Sequence, residues 1–384
     1  MTSLTSIDSG ELNIFRQSLR KFLETRVQPD YLKWEKAEIF PRTVWNELGE
    51  AGFLGVDLPE NYGGPEAPFP FSMIVLEELS RIGAAALASS VLVHSDIVAH
   101  YILHWGTEAQ KKHWLPKMVS GEAVGAIAMT EPGAGSDLQG ITTTAVRQGD
   151  HFIINGSKTF ITNGQHADMV IVAAKTAPQG GAKGISLFLV DVNTPGFQKG
   201  RNLEKIGLHS GDTSELYFED VKVSETTILG KENGGFMHLM NELPRERLGM
   251  SVMAVAASEG TLQWTLDYAH QRQLFAQPLA KFQNTRFKLA EAKTLIEVNR
   301  AFVEKCMAQY MEQKLDATTA AMAKLSATEM QNRIADECLQ LFGGYGYMLE
   351  YPVSRAFVDA RVQRIYGGTS EVMKEIIARS ILGK

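Results

Sequence analysis

The chain has 384 residues, of which 44% are apolar and 21% charged, with 34 Gly and 13 Pro; this excludes disordered, collagenous and fibrous classes and allows two to three domains with a large core. Its 38 Lys plus Arg against 44 Asp plus Glu give a net charge of -6, without the basic excess that a nucleic-acid backbone requires of a partner. Two cysteines, Cys306 and Cys338, are too few for a disulfide framework and fit a reducing compartment.

Residues 1–20 contain no basic segment followed by an apolar run, and they carry Asp8 and Glu11. Neither a signal nor a transit peptide is expected, no run of about 18 apolar residues suggests a membrane span, and the expected location is cytoplasmic. From Leu12 to about residue 119 the apolar residues recur at three and four, as in Phe15, Leu19, Phe22 and Leu23, which predicts helices. The stretch 84–104 reads as a helix buried on most sides.

Near Gly121 the period changes to two. Short runs at 151–155, 169–173, 185–190 and 215–218 are separated by turn residues such as Asn155-Gly156 and Asn163-Gly164, which predicts a small antiparallel β domain. After Gly235 the pattern returns to long helices, over 245–271, 282–311 and 318–341. The fold class is α+β: an N-terminal helical domain (1–119), a middle β domain (120–232) and a C-terminal long-helix bundle (233–384). The nine histidines show no metal-ligand spacing, so no metal site is expected.

Two segments could carry chemistry. Residues 130–137, Thr-Glu-Pro-Gly-Ala-Gly-Ser-Asp, follow a short apolar strand. The turn could aim N–H groups and hydroxyls at an anion, or Ser136 and Asp137 could simply bond their own backbone. Residues 155–164 place Phe160 and Thr162 on one face of a strand, offering a ring and a hydroxyl to a flat ligand. The plainer reading there is an exposed hairpin with one core aromatic.

These segments stand in the order and wording of the acyl-CoA dehydrogenase family, which the chain resembles over nearly its whole length. The likeness runs through Gly106-Thr107-Glu108, Leu115-Pro116-Lys117, the 130–137 turn, 160–164, Lys205-Ile206-Gly207, Asp212, Arg272, Gln283, 340–346, Arg361 and Ile365-Tyr366-Gly367-Gly368-Thr369-Ser370-Glu371. The resemblance implies FAD as cofactor, a fatty acyl-CoA substrate, an electron-transferring flavoprotein as acceptor, and a homotetramer. It implies flavin contacts from Met129, Thr130, Gly135, Ser136, Phe160, Ile161 and Thr162. It implies further cofactor contacts from Arg272, on the diphosphate of a FAD held mainly by a neighbouring subunit, from Gln340, Leu341, Gly343 and Gly344 near the adenine half, and from Phe275 and Gln283, with Thr369 and Glu371 completing the set. Ser136, Arg247, Tyr366 and Gly367 are the implied substrate contacts. One departure is Ala276, where the family usually has glycine after the phenylalanine.

Desaturation next to a thioester needs a carboxylate to take the α-proton. Many family members carry it directly after the loop tyrosine, but here that residue is Gly367. The long-chain and isovaleryl branches place it instead on a helix before an arginine, and Glu246-Arg247 matches that pattern. Glu246 is therefore the expected base. Pro244 is read as a first-turn residue that puts Glu246 near a helix start; read from the residues alone, Glu246 could also be a solvated first-turn acid paired with Arg245 or Arg247. The competing functions are an acyl-CoA oxidase of the same fold using dioxygen and a non-catalytic flavoprotein.

Overall fold

The computed structural model describes residues 9–383. Seven helices come first: α1 (Ser9–Phe22), α2 (Gln28–Ala37), α3 (Thr43–Glu50), α4 (Phe69–Arg81), α5 (Ala85–Val91), α6 (Ala99–Trp105) and α7 (Glu108–Val119). The stripe seen in the sequence is real: Leu19 and Leu23 are fully buried, and Phe15 and Phe22 meet Phe53 edge-on. Thr107 starts α7 with a capping box, its hydroxyl accepting from the Gln110 N–H while the Gln110 side chain accepts from the Thr107 N–H.

α5 and α6 form one continuous rod, Ala85–Trp105, joined by π turns at Leu92–Val98. The rod is the helix buried on most sides that the stretch 84–104 predicts, and by length and composition alone it is also long and apolar enough to cross a membrane. In the fold, 89% of its apolar window is buried, so it serves as a core helix. The wider π turns re-aim polar side chains inward. His94 meets the Met118 carbonyl at 3.0 Å, and Asp96 turns toward α8, the first helix after the β domain (Gly235–Gln271).

The middle region is one seven-stranded sheet of β1 (Gly125–Ala128), β2 (Thr144–Gln148), β3 (His151–Thr162), β4 (Met169–Lys175), β5 (Ile185–Asp191), β6 (Phe197–Asn202) and β7 (Thr213–Ser224). Most pairings are antiparallel, but β4 runs parallel to β1 and, at Thr144, to β2. β4 and β5 are buried at nearly every position. Alternate residues serve two cores: Met169, Ile171, Leu187 and Leu189 face the helices, while Val170, Val172, Phe188 and Val190 fill a second core with Phe152 and Phe218. Burial on both faces explains continuous apolar runs where a half-solvated strand would alternate.

A two-strand hairpin, β8 (Gln273–Leu274) and β9 (Gln277–Pro278), follows α8; then come α9 (Gln283–Met311), α10 (Ala317–Phe342), α11 (Pro352–Val362) and α12 (Ser370–Leu382). α8 begins ten residues earlier than the sequence suggests, so Pro244 is interior. A proline there lacks the N–H that would bond the Met240 carbonyl. Burial of the turns on both sides, at Leu239, Arg245 and Leu248, holds the helix together across that gap.

Candidate active site

Arg245, Glu246 and Arg247 follow the proline, and all three are buried. Successive helical residues point about 100° apart, and each of these reaches a different wall. Arg245 Nη2 donates to Asp57 Oδ2 at 2.8 Å and to Asp96 Oδ1 at 2.7 Å, Nη1 donates to the Tyr310 hydroxyl, and the guanidinium lies 4.9 Å from the centre of the Phe69 ring. Burial alone would raise the Asp57 carboxyl, but the Arg245 charge and then His100 hold it well below the usual range. Arg245 is thus fully engaged in the core.

Glu246 is 3% exposed and sits mid-helix. It is therefore not a solvated first-turn acid, and its neighbours Arg245 and Arg247 turn elsewhere. Its Oε1 accepts a 2.9 Å hydrogen bond from the Tyr101 hydroxyl. Burial pushes its pKa up to about 7; the nearby Glu242 charge adds to this, while the Tyr101 bond and Arg247 oppose it. A carboxyl poised there can exchange a proton near neutrality.

Arg247 Nε lies 3.5 Å from the Gly367 carbonyl, tying the 366–369 loop to α8. Lys324 Nζ donates to the Gly368 carbonyl at 2.7 Å, with burial lowering its pKa to about 8. The loop's carbonyls are thus held by two cations, and the Gly367 N–H has no partner among the described residues. Gly367 has φ +62, and a Cβ there would lie 2.3 Å from Met250 Sδ. Tyr366 is half-buried against the main core. The Thr369 hydroxyl is taken up as the N-cap of α12, accepting from the Val372 N–H, and Glu371 is a first-turn acid of that helix.

On the β domain, Thr159 N donates to the Thr130 carbonyl at 2.9 Å, so the 130–137 turn and β3 are one unit. A bulge between Lys158 and Ile161 breaks the alternation and turns Phe160 outward: it is 66% exposed, with φ +59. Left-handed backbone at a bulky residue is costly, of order 1–3 kcal/mol, and persists where the surroundings impose it. The ring is not a core aromatic. Thr162 is half-exposed beside it, whereas Ile161 turns into the sheet core, so only its backbone could reach a ligand. Met129 is half-buried, and Gly135 and Ser136 are exposed. An outward ring, a hydroxyl and an open glycine turn fit the flat ring and diphosphate of a flavin nucleotide.

A third group lies at the far end of the bundle. Arg272 ends α8, exposed, its guanidinium 5.6 Å from the centre of the Tyr345 ring. The hairpin tip beside it is 90% exposed at Phe275, and both Phe275 and Ala276 have positive φ. Ala276 thus holds the backbone shape for which glycine is favoured. Gln283 and Gln340 are exposed, and Leu341 is half-buried. Added Cβ atoms at Gly343 and Gly344 would meet nothing within 4 Å, so no side chain of this subunit crowds the Gly344 position.

Several residues that shape the site escaped the sequence reading. Lys158 Nζ is buried and donates to Glu131 Oε1 at 2.8 Å and to the Met129 carbonyl at 3.1 Å. Glu131 also accepts from the Thr142 and Thr143 N–H groups. Burial would raise Glu131, but the Lys158 charge and these bonds bring it down to about 2. Tyr101 and Lys324 are likewise fully buried. The one available signal was Tyr101 itself, since a hydroxyl inside an apolar helix needs a partner. Among the described residues no cluster could hold a metal ion.

Comparison with known proteins gives three consecutive family matches: the acyl-CoA dehydrogenase N-terminal domain over residues 9–122, the middle domain over 126–221 and the C-terminal domain over 233–382. The chain is 50% identical to the mitochondrial long-chain specific acyl-CoA dehydrogenase of Sus scrofa, over 98% of this chain and 87% of that protein. It superimposes on an acyl-CoA dehydrogenase from Geobacillus kaustophilus with TM-score 0.95 and 47% identity, covering 99% of this chain and 100% of the other. A structure described as an electron transferring flavoprotein of Acidaminococcus fermentans matches with TM-score 0.94 and 36% identity, covering 98% of this chain and 99% of that one.

Proposed function

The chain belongs to the acyl-CoA dehydrogenase family and is an oxidoreductase, and from that premise we propose that it desaturates the α,β bond of a long-chain fatty acyl-CoA with Glu246 as the base. The observation that carries this reading is the pairing of a buried glutamate, held by one hydrogen bond, with a glycine loop at Gly367. Glu246 would take the α-proton of the thioester. The Gly367 N–H, without a partner among the described residues, would donate to the thioester oxygen as enolate charge develops. Arg247 remains protonated and ties the loop to α8.

FAD, when bound, supplies the hydride acceptor. Thr130, Gly135, Ser136, Phe160 and Thr162 would hold its flavin half. Arg272 and the 340–344 segment would hold the diphosphate and adenine half of a cofactor seated in a neighbouring subunit, a guanidinium matching phosphate geometry. The exposed Phe275, Tyr345, Tyr347 and Leu349 support assembly, because apolar surface of this kind marks contact with other chains; we assign a homotetramer. The long-chain preference rests on the 50% identical relative of that name, and the electron-transferring flavoprotein acceptor on the family resemblance together with the matched structure.

The experiment is Glu246→Gln in the purified enzyme. The variant should keep its yellow colour and bind acyl-CoA while losing about 10²- to 10⁴-fold in anaerobic flavin reduction. Reduction at nearly the parent rate would place the base elsewhere. An initial-rate series of straight and methyl-branched acyl-CoAs, with a maximum at long straight chains expected, tests the substrate class.

A further inference from the structure

Glu246 does not lie free in its pocket. On one side the fully buried Tyr101, from the core rod, donates its hydroxyl to Oε1 at 2.9 Å. On the other side Glu242 lies one turn earlier on α8, and residues four apart share a helix face with Cβ atoms about 5–6 Å from one another. Glu242 is itself buried, and its Oε1 is fixed by Trp105 Nε1 at 2.9 Å and His104 Nδ1 at 2.9 Å. His104 is 43% exposed and lines a surface pocket of about 400 Å³ with Trp105 and His238. The second carboxylate is thus buried at its head and tied at its anchor to solvent.

We infer that Tyr101 and Glu242 are opposed positioning residues for the base: the Tyr101 hydroxyl ties down Oε1 and leaves Oε2 to the substrate, while Glu242, fixed by His104 and Trp105, places a like charge on the same helix face. The inference rests on Glu246 being the base. Neither residue has a part in the chemistry itself. A hydrogen bond to the charged form favours the carboxylate and a neighbouring like charge disfavours it, so the two act in opposite senses.

Other charges are committed elsewhere. From α8 itself, Arg247 bears on Glu246 but is shared with the Gly367 carbonyl. From the core rod and the loop before α4, Asp96, Asp57 and His100 are gathered on or around Arg245. From α10, Lys324 is held by the Gly368 carbonyl. From α4, Glu77 and Glu78 are paired with Arg16, Arg20 and Arg300.

The test compares Tyr101→Phe and Glu242→Gln, both close to isosteric, in the FAD-loaded enzyme. The pH dependence of anaerobic flavin reduction by acyl-CoA is measured in stopped flow. The Glu246 carboxyl is titrated by infrared difference against Glu246→Gln in the absence of substrate. Tyr101→Phe should move the half-point of both titrations up by about one to two pH units, and Glu242→Gln should move it down by about one. Acyl-CoA affinity should change by less than about threefold in either, since a positioning role through Glu246 requires no contact of either side chain with substrate. Should one variant fail to fold, the sign of shift in the other still decides. Equal loss of rate at every pH with unmoved half-points, or shifts in the same direction, would overturn the inference and leave both residues as packing. Parent-like reduction by Glu246→Gln would instead refute the base assignment itself, so the two failures are distinguishable.

Discussion

Replacing Lys158 by Met removes one half of a buried ion pair and leaves Glu131 charged inside the fold. Lys158 and Glu131 side chains are 0% and 2% exposed, so solvent screening is small. Against burial, the Lys158 charge holds Glu131 from its ordinary 4.5 down to about 2, while burial lowers Lys158 itself to about 8, so the loss to expect is that of stranding the carboxylate. Removing one partner of a buried pair costs about 3–5 kcal/mol, and the low end is expected for a carboxylate that keeps the Thr142 and Thr143 N–H groups. Lys158→Met should therefore lower the thermal midpoint by about 4 °C, the unfolding entropy of a chain this long being about 0.8 kcal/mol/K. It should also release FAD on gel filtration, because the Met129 carbonyl and the 130–137 turn lose their side-chain tie to β3 and keep the Thr159 N–H bond to the Thr130 carbonyl. The double variant Lys158→Met with Glu131→Gln should be less damaged than the single one, since no charge is stranded, although the amide oxygen can replace only one of the two carboxylate oxygens that accept separately from the Thr142 and Thr143 N–H groups. A single variant that keeps its flavin and melts within a degree or two of the parent, or a double variant worse than the single, would refute this account of the turn.

Flavin reduction should rise with pH and be half-maximal near pH 7, because the carboxylate is the active form and burial raises Glu246 to about 7; a stopped-flow profile flat from pH 5.5 to 8.5 would contradict it. Ala276→Gly should raise the melting midpoint by about a degree, since an alanine at φ +63 carries about 1–2 kcal/mol of strain that glycine lacks, less about 0.5–1 kcal/mol of added chain entropy; a lower midpoint in calorimetry would contradict it. A carboxylate supplied by Gly367→Glu on the Glu246→Gln background should restore flavin reduction in part, held back by φ +62 at 367, and further when Met250→Ala is added, because a Cβ at 367 meets Met250 Sδ at 2.3 Å; equal rescue with and without the third change would show that Met250 moves freely.

The α, β, α order was legible because core stripes repeat at 3.6 or 2 residues wherever one face is buried. It blurred where both faces are covered, as in β4 and β5, whose residues divide between two cores. Pro244 misled because a proline is locally a start signal, while packing of Leu239 and Leu248 carries α8 through it. Phe160 could not be oriented from alternation, since the bulge at 158–161 resets the faces. Glu246 was legible only through family wording together with Gly367. Its partner Tyr101 lies 145 residues away in sequence, and Lys158 is 27 from Glu131; local periodicity holds no record of such pairings.

The aim of the base follows from its neighbours. Three adjacent ionisable residues on α8 take three separate partners, so rotation of the helix about its own axis would break all of them together. Arg245 resists that rotation most, with two buried carboxylates and the Tyr310 hydroxyl around one guanidinium. Pro244, immediately before it, frees the Met240 carbonyl from the usual ladder and lets the preceding turn adjust without dragging Glu246 along. With the helix fixed on one side by Arg245 and tied by Arg247 to the Gly367 loop on another, the remaining direction at 246 is the one toward Tyr101. The placement of the carboxylate is thus a property of the whole buried turn, and the glycine at 367 with Met250 against it is the matching surface on the facing loop.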